Sequence, residues 1–218
     1  THIDAAPHLS CVGSSAERIR VLLDTYRNNN IHRIVALRGD LPSGMQAPGD
    51  FRYASELVEF IRKETGDFFT IEVAAYPEVH PQAQSAEHDL INFKRKVDAG
   101  ANSAITQYFY NIDAYRYFVD ACEQQGIDIP IIPGIMPINN YAQLARFSAG
   151  CGAEIPRWLR KKLEAFYDDT ASMTAFTVDF LTDFTQQLID LGVPGIHFYT
   201  MNKVDPTLTI CDRLGLIK

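Results

Sequence analysis

The 218-residue sequence predicts an α/β fold built on parallel strands. Two observations predict it. Short runs rich in Val, Ile, Phe and Tyr alternate with longer stretches of helical period, and those runs are mostly apolar on both faces. Buried parallel strands read this way because helices cover both sides of their sheet. The connections between the runs are also too long for hairpins, so each strand returns in the same direction through a crossover.

The strand segments, in order, are Pro7–Val12, His32–Leu37, Phe69–Ala75, Ser103–Phe109, Ile129–Ile135 and Gly195–Thr200. Capped helices fill the intervals. Ser14 and Glu17 have capping-box spacing ahead of Ile19, Leu22, Leu23 and Tyr26. Ser55 precedes Leu57, Val58 and Ile61, and Gly66 closes that helix. Ser85 opens a helix through Leu90, Phe93 and Val97 to Gly100; Asp113 opens another through Tyr117 and Phe118 to Gly126. Asn139 or Asn140 starts a helix through Leu144 and Phe147. Two longer helices occupy Pro156 to Leu191, and Pro206 starts a last one. No linker or low-complexity segment interrupts the pattern, which predicts a single domain over residues 1–218.

About six strands emerge, whereas a closed (β/α)8 barrel needs eight. Periodicity leaves two architectures open: an open doubly wound sheet, or a barrel whose first two strand–helix units precede Thr1.

Composition bounds the function. A net charge of −7 repels phosphate backbones, so nucleic acid is not an expected partner. Cys11, Cys122, Cys151 and Cys211 lie far apart with no C-x-x-C pair, which reads as reduced thiols. No apolar run approaches the roughly 18 residues of a membrane span, and no charged-then-apolar leader is present. The expectation is a cytoplasmic protein without membrane contact.

Polar residues gather just after the carboxyl ends of the strand segments, the edge where parallel α/β folds build their sites. His8 sits in the first segment; alone, it reads as an ordinary core histidine. The second ends in Leu37-Arg38-Gly39-Asp40-Leu41-Pro42, where glycine permits positive φ or close approach to a ligand. The third runs into Ala74-Ala75-Tyr76-Pro77-Glu78-Val79-His80-Pro81, with small residues leaving room beside a tyrosine ring and a histidine. His80 and His88 have no third partner at ligand spacing, so no metal is expected. The helix Asp89–Asp98 carries Lys94, Arg95 and Lys96, of which only one or two can face a given ligand. The fourth segment ends in Thr106-Gln107-Tyr108-Phe109, where the Gln107 amide needs a hydrogen-bond partner if buried. The fifth and sixth end in Pro133–Pro137 and His197–Asn202, and Phe147 reads by default as core packing. Neither G-x-G-x-x-G nor G-x-x-x-x-G-K-[ST] nor G-x-S-x-G occurs.

Taken in order and at their spacing, LRGDLP, AAYPEVHP, the DLxxxKxKVDAGA run, ITQYFY, IIPGIMPI and HFYTMN resemble the bacterial-type, FAD-dependent methylenetetrahydrofolate reductase family. The resemblance runs from about residue 5 to the carboxyl end. It implies a (β/α)8 TIM barrel that begins here at the family's third strand, and so an incomplete amino-terminal side.

It further implies FAD contacts at His8, Arg38, Gly39, Asp40, Ala54, Tyr76, His80, Asp89, Asn92, Arg95 and Lys96. Gln107, Gln143, Phe147, Tyr199 and Lys203 match positions used for folate or nicotinamide. Asp40 and Phe147 are the catalytic expectations, Asp40 by stabilising a cationic iminium form of the folate through Coulomb attraction. The general-acid glutamate of the family belongs to its first barrel strand, upstream of Thr1; Glu72 and Glu78 have no motif claim to that role. Lys203 stands where relatives often carry arginine, so a folate glutamate tail would meet a point charge rather than a bidentate fork.

The implied reaction is ping-pong reduction of 5,10-methylenetetrahydrofolate to 5-methyltetrahydrofolate. NADH or NADPH serves as reductant, and a homo-oligomer is expected. The alternatives are a flavin-binding homologue without chemistry and a Schiff-base lyase barrel. The second needs a lysine at the inner end of a strand, and no strand segment offers one.

Overall fold

The computed structural model describes residues 4–40 and 49–217. Leu41 and Pro42 of the second motif lie outside the described residues. The strands are β1 (His8–Ser10), β2 (Arg33–Leu37), β3 (Thr70–Ala75), β4 (Ser103–Tyr108), β5 (Ile131–Ile135) and β6 (His197–Phe198). The helices are α1 (Ala16–Asn28), α2 (Ala54–Thr65), α3 (Ala86–Asp98), α4 (Ile112–Gln124), α5 (Tyr141–Cys151), α6 (Arg157–Phe166), α7 (Thr170–Asp190) and α8 (Thr207–Arg213).

The strands form one sheet in the order β1-β2-β3-β4-β5-β6. The register pairs His8 with Val35, Arg33 with Thr70 and Gly134 with His197, in parallel each time. A doubly wound sheet reverses its strand order at a switch point. Here the order never reverses, which is the winding of a (β/α) barrel. Of the two architectures left open by periodicity, the doubly wound sheet is thereby excluded.

By packing, the chain divides into two compact units. The first comprises Thr1–Ala75, Leu90–Ala104 and Gln124–Pro130; the second comprises Tyr76–Asp89, Ile105–Glu123 and Ile131–Lys218. In the first, Ile34, Ala36, Ile71 and Val73 of the sheet pack with Leu57, Val58 and Ile61 of α2, all fully buried. Each of these isoleucine, leucine and valine side chains contributes roughly 1.5–3 kcal/mol on leaving water. Arg62 crosses to β3 and the turn after α3, donating to the carbonyls of Phe69 and Gly100 and to Asn102 Oδ1 at 2.5–2.9 Å. Glu72, buried within β3, is neutralised by Arg33 at 2.6 Å, a structural role.

In the second unit, α7 buries Met173, Thr177, Leu181, Phe184 and Leu188, the i, i+4 stripe of an amphipathic helix. Ile135, Ile138, Leu159 and Leu163 complete that core. Thr177 spends its hydroxyl on the carbonyl of Ile138 at 3.0 Å, so a polar residue is buried at little cost.

Local signals needed three corrections. Ser15, not Ser14, caps α1, accepting from the Arg18 amide at 3.2 Å, because Ser14 is held in a bridge to Gly49. Ser55 lies inside α2, whose first turn is closed by Glu56 accepting from the amides of Arg52 and Tyr53. Asn111 takes the place assigned to Asp113, accepting the Asp113 amide at 3.1 Å. Asn140 is the cap of α5, and the four cysteines form no disulfide. Among the described residues no helix is long and apolar enough to cross a membrane.

Candidate functional site

In the second unit, a shallow, open cleft runs along the first turns of α5. Its walls come from the residues after β5 (Met136, Pro137, Ile138) and after β6 (Met201, Lys203). Asn140 fixes how the helix enters, its Oδ1 accepting the amide of Gln143 at 2.8 Å. Gln143 and Phe147 are one turn apart and so share a helix face, and both line this cleft with Leu144 beneath them. Phe147 is half-buried, with the Arg146 guanidinium 5.6 Å from its ring centre. The opposite wall turns sharply: Met201 and Asn202 both adopt positive φ, 53° and 58°. Non-glycine residues hold that conformation at a cost, typically where a site over-determines them. The exposed Lys203 therefore stands at the mouth. The structure thus brings together Gln143, Phe147 and Lys203.

A second, smaller cleft lies between Tyr76, Glu78, Gln107, Tyr108, Cys151 and Ala153. Gln107 accepts the amide of Tyr108 through its Oε1 at 3.0 Å, which orients the side-chain amide. The Tyr108 hydroxyl meets Ser148 Oγ at 3.0 Å and accepts from the Cys151 thiol at 3.4 Å. Burial, reinforced by the thiol, pushes the Tyr108 phenol above its usual range.

Tyr199 does not present its hydroxyl to the first cleft. It donates to the carbonyl of Thr106 at 2.8 Å, and burial raises its pKa. Its placement is tied to Gly134, where a Cβ would come within 2.6 Å of the Tyr199 ring.

Sequence reasoning passed over Glu78. Its Oε2 accepts the Glu154 amide at 2.6 Å, while Oε1 is buried without a hydrogen-bond partner. Burial raises its pKa, with the Glu154 amide opposing. The hydrogen bond of this buried carboxylate depends on a segment 76 positions downstream, so no local pattern announces it.

The loop after β3 also carries Tyr76 and His80, and Asp89 follows in the first turn of α3. The Tyr76 and His80 rings meet edge to face at 4.5 Å, and Asp89 Oδ2 accepts the His80 amide at 2.8 Å. His80 Nδ1 accepts from the Gln82 amide at 3.0 Å, which leaves the proton of the neutral ring on Nε2.

In the first unit, His8 is exposed on β1, Arg38 and Gly39 follow β2, and Asp40 is exposed. Gly39 has φ 83°, and a Cβ there would press on Val12 at 2.9 Å and on Ser10. Glycine is therefore required by the backbone of this turn itself. Ala54 opens α2. On α3 the basic triplet divides as its helical geometry demands. Lys94 pairs with Asp98 at 2.8 Å on the surface, and Arg95 donates to Asn92 at 2.9 Å. Lys96 turns inward to the carbonyl of Ala74, at the carboxyl end of β3. In donor type, Arg38, Arg95 and Lys96 have the chemistry to oppose a diphosphate.

Comparison with known proteins follows the same line. The family model described as methylenetetrahydrofolate reductase matches residues 1–215. The 5,10-methylenetetrahydrofolate reductase of Escherichia coli is 44% identical over 216 residues, covering 99% of this chain and 72% of that protein. The enzyme of that name from Buchnera aphidicola subsp. Schizaphis graminum is 40% identical over 99% of this chain and 73% of its own length. Methylenetetrahydrofolate reductase (NADH) 1 of Arabidopsis thaliana is 39% identical, and the match spans 38% of it. Among solved structures, an uncharacterized protein from Clostridium thermocellum that binds two copies of 5-methyl-5,6,7,8-tetrahydrofolic acid superposes with a TM-score of 0.54. It shares 15% identity over 98% of this chain and 96% of its own, a likeness of fold. With the sheet winding and a family match over nearly its whole length, the chain belongs to the methylenetetrahydrofolate reductase family.

Proposed function

We propose that this chain reduces 5,10-methylenetetrahydrofolate to 5-methyltetrahydrofolate, taking hydride from NADH or NADPH by way of FAD. The observation that carries the reading is the cleft along α5, which combines an aromatic plate, an amide and a cation at its mouth. Phe147 can stack on the p-aminobenzoate ring of a folate or on a nicotinamide, an interaction worth about 0.5–1.5 kcal/mol beyond area burial. One plate serving both rings means that the two substrates exclude each other, which is the requirement of a ping-pong sequence. The Gln143 and Gln107 amides each offer a donor and an acceptor to a pterin or carboxamide edge. Lys203 neutralises a glutamate tail at the solvent side.

His8, Arg38, Gly39, Asp40, Ala54, Tyr76, His80, Asp89, Asn92, Arg95 and Lys96 are the residues assigned to FAD. When bound, FAD supplies reversible two-electron hydride chemistry. The chain's own work is orientation and charge. Asp40 favours the cationic, ring-opened iminium of the folate over its neutral closed form by Coulomb attraction.

The test is a visible absorption spectrum of the purified protein reconstituted with FAD. The expected result is a flavin spectrum that bleaches when NADH is added without oxygen and returns on adding methylenetetrahydrofolate. Failure to take up FAD, or a bleached spectrum that the folate leaves unchanged, would overturn the proposal.

A further inference from the structure

Glu78 is the residue that this function leaves without a task, yet its surroundings are specific. It lies in the loop after β3, two positions from Tyr76 and two from His80. Its carboxylate reaches across to the turn that ends α5 and accepts the amide of Glu154 at 2.6 Å. The approach is tight on the same side. Gly152, which terminates α5 in the left-handed region at φ 78°, would with a Cβ come within 3.0 Å of Pro81 and 3.2 Å of the Val79 carbonyl. At the same helix end, Cys151 and Ser148 hold the Tyr108 hydroxyl of β4. The end of α5 is thus held by Tyr108, and the turn that follows it by Glu78.

The helix transmits this grip. Phe147 precedes Cys151 by one turn, about 6 Å along the axis, and Gln143 precedes it by another. A hydrogen-bonded helix moves as a unit over two turns, so its carboxyl end fixes where the aromatic plate stands in the folate cleft.

We propose that Glu78 is a positioning residue for folate and nicotinamide binding: its carboxylate ties the 152–154 turn to the β3 loop and thereby sets the position of Phe147 and Gln143. This rests on the reading of the α5 cleft as the folate site. The role is one of hydrogen-bond acceptance rather than charge. An amide at the same position keeps an acceptor for the Glu154 N–H, and an alanine does not.

The test is equilibrium dialysis of 5-methyltetrahydrofolate against the full chain, Glu78→Ala and Glu78→Gln, with excess FAD and with flavin content and melting temperature recorded. The expected result is that Glu78→Ala weakens folate binding about fivefold, the size of one lost hydrogen bond. Flavin content should stay unchanged, and Glu78→Gln should restore binding close to the parent. Where turnover is measured, KM for folate and for the nicotinamide donor should rise together while kcat holds. Equal folate affinity in Glu78→Ala and the parent would overturn the proposal, as would a Glu78→Gln variant as weak as Glu78→Ala. A loss of melting temperature without a change in folate affinity would reduce Glu78 to a stability role. A parent chain that binds no folate would instead remove the functional reading beneath it.

Discussion

Replacing Gly134 by alanine should damage the protein through space alone. The residue lies in β5, where the added methyl would sit 2.6 Å from Cε2 of Tyr199 and would overlap the carbonyl oxygen of Thr106. Carbon atoms in contact normally stay beyond about 3.5 Å. The Thr106 side cannot yield easily, because the Gly134 amide is tied to Thr106 Oγ1 at 2.8 Å and β4 is held by its own ladder. The tyrosine must therefore move, and its hydrogen bond to the Thr106 carbonyl at 2.8 Å goes with it. Overpacking costs about 1–3 kcal/mol and the lost hydrogen bond about 1 kcal/mol, together roughly 2–4 kcal/mol. At about 2–4 °C per kcal/mol for a chain of this size, the melting temperature should fall by roughly 5–15 °C.

Far-UV circular dichroism during heating reads this directly. A second variant isolates the cause. Tyr199→Leu removes the ring edge, so Gly134→Ala should cost less in that background than in the parent, a non-additivity expected only of touching groups. An unchanged melting temperature in Gly134→Ala, or strict additivity in the pair, would refute the packing argument. β5 and β6 carry two walls of the α5 cleft at their carboxyl ends, so on the proposed function weaker folate binding should accompany the loss of stability.

Three further outcomes follow from the same structure. For Glu78, burial raises the carboxyl pKa in the folded chain, against the Glu154 amide, with Glu154, Tyr108 and Cys151 the titratable groups around it. The stability tied to its neutral form is therefore fully present below about pH 4.5, the unfolded value, and is lost as pH rises through the folded one. Relative to the parent, Glu78→Gln should gain melting temperature between pH 4.5 and neutrality; parallel curves would contradict this. Lys203→Ala should raise KM for a polyglutamylated folate by a few fold, in keeping with roughly 0.5–1 kcal/mol for an exposed pair. That effect should fade in high salt, and equal sensitivity to a monoglutamate would argue against tail binding. Arg62→Lys should cost about 2–3 kcal/mol in urea unfolding, because a single ammonium cannot serve the carbonyls of Phe69 and Gly100 and the Asn102 amide together. Full retention of stability would show that water replaces those donors.

The sequence made the elements legible because their signals are local. All six strands appear where apolar runs predict them, shortened at the ends. The segment Gly195–Thr200 contracts to His197–Phe198, since the chain must already turn toward the positive-φ residues Met201 and Asn202. The helix caps were harder to place, because serines and asparagines compete for the same role. Ser14 lost it to Ser15 through a bridge to Gly49, 35 positions away, a partner that periodicity does not register.

For the site, the family resemblance, not spacing, assigned Gln143, Phe147 and Lys203 to the substrate, since residue type alone reads Phe147 as core packing. Residue type and spacing did not reveal that these three would line one cleft, nor that Tyr199 would turn its hydroxyl inward to Thr106. They left Glu78 with no role at all. By itself, the sequence determined the alternation of strand and helix, the parallel sense of the strands and the identity of the polar groups at their carboxyl ends. Each of these is written in short-range periodicity or in residue chemistry. Only the tertiary structure decided the unreversed strand order and the burial of Glu78 against the end of α5, because both arise from contacts between segments far apart in the chain.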